Sequence, residues 1–268
     1  MSDLSSVVGD LVREGDDLDA LVDGADDWSR PTAAAGWTIA HQIAHLAWTD
    51  QKSLLAATDP EGFARDLQSA IEHAATYVDD GADAGAELPR AELLAQWRSG
   101  RRALAEQLLS RDPALKLPWY GPPMSPTTMA TARIMETWAH GQDVADALGV
   151  TRTPTARLRN IAHLGVRTRD FAYLVNDRTP PSTPFRVDLI APNGELWSWG
   201  PADSPDRISA PALDFCLLVT QRRHRDDLSI VATGEALAWL PIAQAFAGQP
   251  GAGRPPATQA STTAAGQS

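Results

Sequence analysis

Apolar residues recur at intervals of three and four through the first 177 residues of the chain. That period matches the 3.6-residue turn of an α-helix and marks one face for burial. LSSVVGDLVREGDDLDALV carries it and predicts a first amphipathic helix, followed by a turn in DDWSRPTAAAGW. A second helix is predicted with Thr38 as its N-cap, running through IAHQIAHLAWTDQKSLLAAT. A third is expected over Pro60–Val78, with the Gly- and Asp-rich DDGADAGAELP breaking it. A fourth covers RAELLAQWRSGRRALAEQLLSR and stops before Asp112-Pro113. A fifth runs from Thr127 to Leu148, with Gly149 suited to the left-handed residue that closes a helix, and a sixth from Thr155 to Val175. Between the fourth and fifth, LKLPWYGPPMSP is too rich in proline for a helix. Its Trp119, Tyr120 and Met124 are large for a surface loop, so it should pack against something or line a pocket.

After NDRTPPSTP the period shortens to two. FRVDLIA alternates apolar and polar, and PNGELWSWG adds an Asn-Gly turn before a second alternating run, which is the signature of a β-hairpin. APALDFCLLVTQRR reads as a helix, LSIVATG as a strand, and EALAWLPIAQAFA as a helix with a proline near its middle. The fold class is therefore α+β: a helical bundle over residues 1–178, then a small α+β domain over 179–248. Residues 249–268, QPGAGRPPATQASTTAAGQS, have no apolar pattern and are expected to form a disordered tail.

Charge and cysteine content narrow the partners. A formal net charge of -11 repels phosphate backbones, so nucleic acid is not an expected partner. No apolar run approaches the roughly 20 residues that cross a bilayer, and no basic start leads into an apolar block; a soluble, cytoplasmic monomer or homodimer is expected. The single cysteine, Cys216, lies in the apolar run LDFCLLV and reads as a core residue, not a nucleophile.

The candidate chemistry sits on two helices. Glu136 and His140 in METWAHGQDVADALG are spaced i,i+4 and share one helix face. Alone, such a pair also describes an ordinary solvated helix surface. AHQIAHLAW adds His41 and His45, again i,i+4, and His45 stands among Ile43, Ala44, Leu46, Ala47 and Trp48. Facing helices of a bundle can project ligands to one interior point. His45, Glu136 and His140 would then offer two imidazoles and a carboxylate, a set suited to a divalent transition ion with open positions. Zinc is the expected metal, and nickel, iron or manganese also accept these donors. Asp143, three residues after His140, could orient its ring. QRRHRDD, Gln221–Asp227, is the densest cationic stretch; Arg222 or Arg223 could bind a carboxylate, or sit in solvent at a helix end.

GWTIAHQIAHLAW and ETWAHGQDVADALG resemble the two ligand-bearing segments of DinB-like metal-binding bundles. The closer similarity is to the mycothiol-dependent maleylpyruvate isomerase branch, in which such a bundle precedes a sterol-carrier-like α+β domain. FRVDLIAPNGELWSWG and VATGEALAWLPIAQAFAG extend the resemblance over nearly the whole chain. It implies a DinB-like antiparallel four-helix bundle with extra helices, and a metal held by His45, Glu136 and His140. It implies mycothiol as thiol cosubstrate, and an arginine of the C-terminal domain, Arg222 or Arg223, facing the active site. At the position of His41 the family often has an acidic residue, so His41 could be a fourth ligand, a partner that supports a ligand, a proton carrier or a surface residue. Trp119 and Tyr120 could stack on the thiol's sugar or on an aromatic substrate, or simply cap the bundle. The resulting expectation is a metal- and mycothiol-dependent S-transferase or cis–trans isomerase of a small molecule. A non-enzymatic metal or ligand binder and a metal-dependent hydrolase are the alternatives.

Overall fold

The computed structural model describes residues 3–248 and 253–257. These fall into two compact units, the first ending at Arg152 and the second beginning at Thr153.

The first unit is a bundle of α1 (Leu4–Asp23), α2 (Ile39–Thr58), α5 (Arg90–Ser110) and α6 (Pro126–Leu148), with α3 (Pro60–Glu72) and α4 (Tyr77–Ala86) inserted between the second and third bundle helices. Local chemistry sets the ends. Asp3 caps α1 by accepting from the Ser6 N–H at 2.7 Å. Ser125 caps α6, Pro126 stands in its first turn, and Gly149 closes it in the left-handed region at φ 70°. The core is built where the apolar stripes meet: Leu18 and Val22 of α1, Ile39, Ile43 and Leu46 of α2, Leu93 and Trp97 of α5, and Val144 of α6 are all buried.

Helix α4 lies where the sequence predicts a break. Its glycines account for it: a Cβ on Gly81 would come within 2.6 Å of the Trp48 indole nitrogen, and one on Gly85 within 2.7 Å of the Ala44 Cβ. The stretch that reads as helix-breaking is a helix held close against α2, with backbone where side chains would otherwise keep the two apart. The proline loop is stapled by an antiparallel bridge between Leu117 and Met124.

The second unit contains α7 (Leu158–Arg167), α8 (Arg169–Val175), a four-stranded sheet, α9 (Ala212–Val219) and α10 (Glu235–Trp239). Helical period alone places α7 and α8 with the bundle, but α7 packs on α9. Gly165 allows this approach, since a Cβ there would meet Val219 at 2.8 Å. The sheet order is β2-β1-β3-β4, with β1 Arg186–Ile190, β2 Leu196–Trp199, β3 Arg207–Pro211 and β4 Val231–Ala232. β1 and β2 form the expected hairpin, with Gly194 at φ 85° in the turn. β3 runs parallel to β1; its first three residues precede the predicted helix and its last two, Ala210 and Pro211, fall at that helix's start, and Pro211 ends the strand and lets α9 begin at Ala212. Pro241 likewise cuts the last predicted helix to α10 and a short 3-10 turn, Leu240–Ile242. The expected tail lies outside the described residues except for 253–257, where the Ala257 N–H donates to Asp227 at 3.0 Å.

Candidate metal centre

Helices α2 and α6 are joined beneath the site by a buried ion pair. Arg133 Nε donates to Asp50 Oδ1 at 2.9 Å, and both side chains are almost fully enclosed. Burial pushes the Asp50 carboxyl above its ordinary range, and Arg133 offsets only part of that. Asp50 is five residues past His45, and Arg133 three before Glu136. The pair therefore sets the relative height of the two helices that carry the candidate ligands.

One donor atom from each of His45, Glu136 and His140 lies within 4.8 Å of the other two. Glu136 Oε2 stands 3.5 Å from His45 Nε2 and 3.3 Å from His140 Nε2. His45 is 9% exposed, His140 12% and Glu136 24%, so the carboxylate marks the open side. Burial alone would raise the Glu136 carboxyl; hydrogen bonding and charge from the two imidazoles outweigh it and hold the group well below the usual carboxylate range. His45 Nδ1 is buried and has no hydrogen-bond partner. Two imidazoles and a carboxylate converging from facing helices fit a divalent ion of the zinc type and leave room for further ligands.

The surroundings are aromatic. The Trp37 ring lies 5.2 Å from that of His45 and 6.0 Å from that of His140, nearly parallel to the latter. Trp37 is held there by its indole N–H, which donates to Asp79 at 3.1 Å. The Trp48 ring lies 6.3 Å from that of His45.

Residues 11–145, half of the chain, match the family model of the mycothiol maleylpyruvate isomerase N-terminal domain. The matched segment contains all three clustered residues. The chain belongs to this family. Two solved structures of the mycothiol-dependent maleylpyruvate isomerase share the fold: a histidine-to-alanine mutant at TM-score 0.60 and 14% identity, and another at 0.58 and 13%. The first covers 85% of this chain and 93% of that one, the second 86% and 93%. Uncharacterized proteins of two Mycobacterium tuberculosis strains, CDC 1551 and H37Rv, are each 57% identical over 257 residues, covering 95% of this chain and all of theirs. Residues 181–233, in the second unit, match a model described as wyosine base formation.

In this mycothiol maleylpyruvate isomerase family member, the other sequence candidates take separate places, three in the bundle and two in the second unit. His41 belongs to the start of α2: its Nδ1 accepts from the Thr38 N–H at 3.2 Å, and its Nε2 faces Asp83 at 3.3 Å. Trp119 and Tyr120 pack on Phe63 of α3, with ring centroids 5.9 and 5.0 Å away. The Tyr120 hydroxyl donates to Asp66, which also accepts from Tyr77 at 2.6 Å and pairs with Lys52. Burial and the Asp66 charge push the Tyr120 phenol up, so it stays a donor. Arg222 and Arg223 lie just past α9 in the second unit, and Arg223 lines a cavity of about 230 Å³ with His224 and Arg225. No helix among the described residues is long and apolar enough to cross a membrane.

Sequence reasoning missed Gln42, whose side chain meets His140 Nδ1 at 2.5 Å. The signal was present: Gln42 precedes His45 by three residues and shares its helix face. Asp50 was equally hidden, because WTDQKS reads as a polar surface.

Proposed function

We propose that the protein is a metal-dependent enzyme that uses mycothiol as cosubstrate on a small molecule. The observation that carries this reading is the convergence of His45, Glu136 and His140 inside the family-matched segment. These three residues would hold the metal, and zinc is the ion that best suits the donor set. When bound, the metal would lower the pKa of an incoming thiol, ordinarily about 8.5, so that it reacts as thiolate near neutral pH. The chain supplies the rest of the environment. Trp37 and Trp48 wall the imidazoles and limit water. Gln42 orients His140. Asp50 and Arg133 fix the two helices against each other. The chain's own thiol is buried, which suits a nucleophile brought from outside.

Such a thiolate would either add to and leave an activated double bond, giving cis–trans isomerisation, or displace a leaving group, giving S-transfer. Both classes are tested together. Zinc-loaded protein is given mycothiol with a cis-enoate such as maleylpyruvate, and separately with an electrophile that carries a leaving group. Turnover of either that needs both thiol and zinc supports the proposal, and which one turns over decides the class. Hydrolysis without thiol would replace it with a metal-dependent hydrolase. Tight binding without turnover would leave a ligand-binding protein.

A further inference from the structure

The geometry points to Gln42 as the positioning residue that fixes the proton of His140, through a one-way hydrogen-bond relay anchored on the Trp37 backbone. The inference deepens the metal-centre reading and rests on it.

Each polarity along the relay follows from the one before. The Trp37 carbonyl can only accept. It receives the Thr32 N–H at 2.8 Å and the Thr32 hydroxyl at 2.9 Å. Having given its single proton, the Thr32 oxygen has only lone pairs to offer. Gln42 Nε2 donates to it at 2.8 Å. The amide nitrogen of Gln42 is therefore turned to Thr32 and its oxygen to His140. A carbonyl oxygen cannot donate, so the 2.5 Å contact with His140 Nδ1 requires the proton to be on that nitrogen. With Nδ1 committed to Gln42, Nε2 is the ring nitrogen on the side where Glu136 Oε2 stands, 3.3 Å away. Gln42 is fully buried, so no water replaces its oxygen when it is removed. His45 has no such hold on its second nitrogen. One imidazole of the pair is preset for a metal, and the other is free to adjust.

The relay also gives Trp37 two connections to one histidine. Its ring lies against the His140 ring, and its carbonyl ends the chain that sets the His140 tautomer. The turn that carries it is closed by the Pro31–Thr38 bridge and by the Trp37 N–H to Ala34 carbonyl bond, so the anchor is backbone.

The test has two readouts, neither of which is catalysis. Imidazole ¹⁵N spectra of the metal-free full-length protein should show a proton on His140 Nδ1; an Nδ1 that carries none would overturn the relay. Zinc affinity is measured by competition with a chelator. Gln42→Met, which keeps the volume and removes the acceptor, should bind zinc about 10–100-fold more weakly, the range typical for loss of such a partner. Gln42→Glu keeps an acceptor and should stay near the parent. Thr32→Val frees the amide to flip and should weaken zinc binding, whereas the Thr32→Val/Gln42→Glu double variant should match Gln42→Glu, because a carboxylate has no wrong way round. Should Gln42→Met not fold, the Thr32→Val and Gln42→Glu comparison decides alone. Parent-like zinc affinity in Gln42→Met or in Thr32→Val would sink the relay. A parent that takes up no zinc would sink the metal-centre reading instead, and the ¹⁵N spectrum would still judge the relay.

Discussion

At the scale of single residues, the centre is a carboxylate set between two imidazoles. His45→Ala and His140→Ala should each abolish stoichiometric metal by elemental analysis while leaving helical circular dichroism nearly unchanged. Full metal retention in either would refute the ligand assignment. The three residues were legible in the sequence because their chemistry is rare in an apolar helix and their spacing is regular. Gln42 was not, because a neutral amide among alanines and isoleucine carries no such mark. Its role depends on Thr32, ten residues away across a turn, and no periodicity reports that. His41 repeats the i,i+4 pattern of a ligand pair, and its ring is engaged with Thr38 and Asp83 at the helix start.

At the scale of elements, two contacts decide where the site sits. The Asp50–Arg133 pair joins α2 to α6, and removing one partner strands a buried charge. Arg133→Met should therefore cost about 3–5 kcal/mol in chemical denaturation, whereas Asp50→Leu with Arg133→Met should recover most of it. Full recovery would make the pair a matter of register, not of stability. Helix α4 leans on α2 through Gly81 and Gly85. Gly85→Val should destabilise by about 1–3 kcal/mol, the usual range for overpacking, with a matching fall in midpoint. The bundle helices and the β1–β2 hairpin could be read from period and turn chemistry. Helix α4 and strand β3 could not. Glycine signals a break unless the neighbour it approaches is known, and β3 reaches β1 as a parallel partner with no hairpin turn to announce it.

At the scale of the whole molecule, acidity is the governing property. The net charge of -11 makes carboxylates the main source of pH dependence. Asp19 of α1 is buried: burial acts to raise its pKa, but hydrogen bonds from Arg98 and Arg101 of α5 win and hold it below the ordinary value. A depressed folded pKa adds stability above the unfolded value of about 3.9 and loses it as pH falls through the folded one. Asp19→Asn should thus melt lower than the parent at pH 7, and the gap should close below about pH 4; a constant gap across pH would assign the loss to packing. Asp50 runs the other way, since its raised pKa makes the buried charge a burden that acid relieves.

The chain's one thiol, Cys216, has no solvent exposure, and its Sγ donates to the Leu158 carbonyl, tying α9 to α7. Burial also pushes the thiol's pKa up. A maleimide or iodoacetamide reagent can reach it only when those helices part. Capture of Cys216, followed by mass spectrometry, should therefore lag far behind that of a small free thiol and quicken sharply in urea. The side chain least suited to chemistry is thus a built-in clock for the opening of the second unit, one that needs no added label.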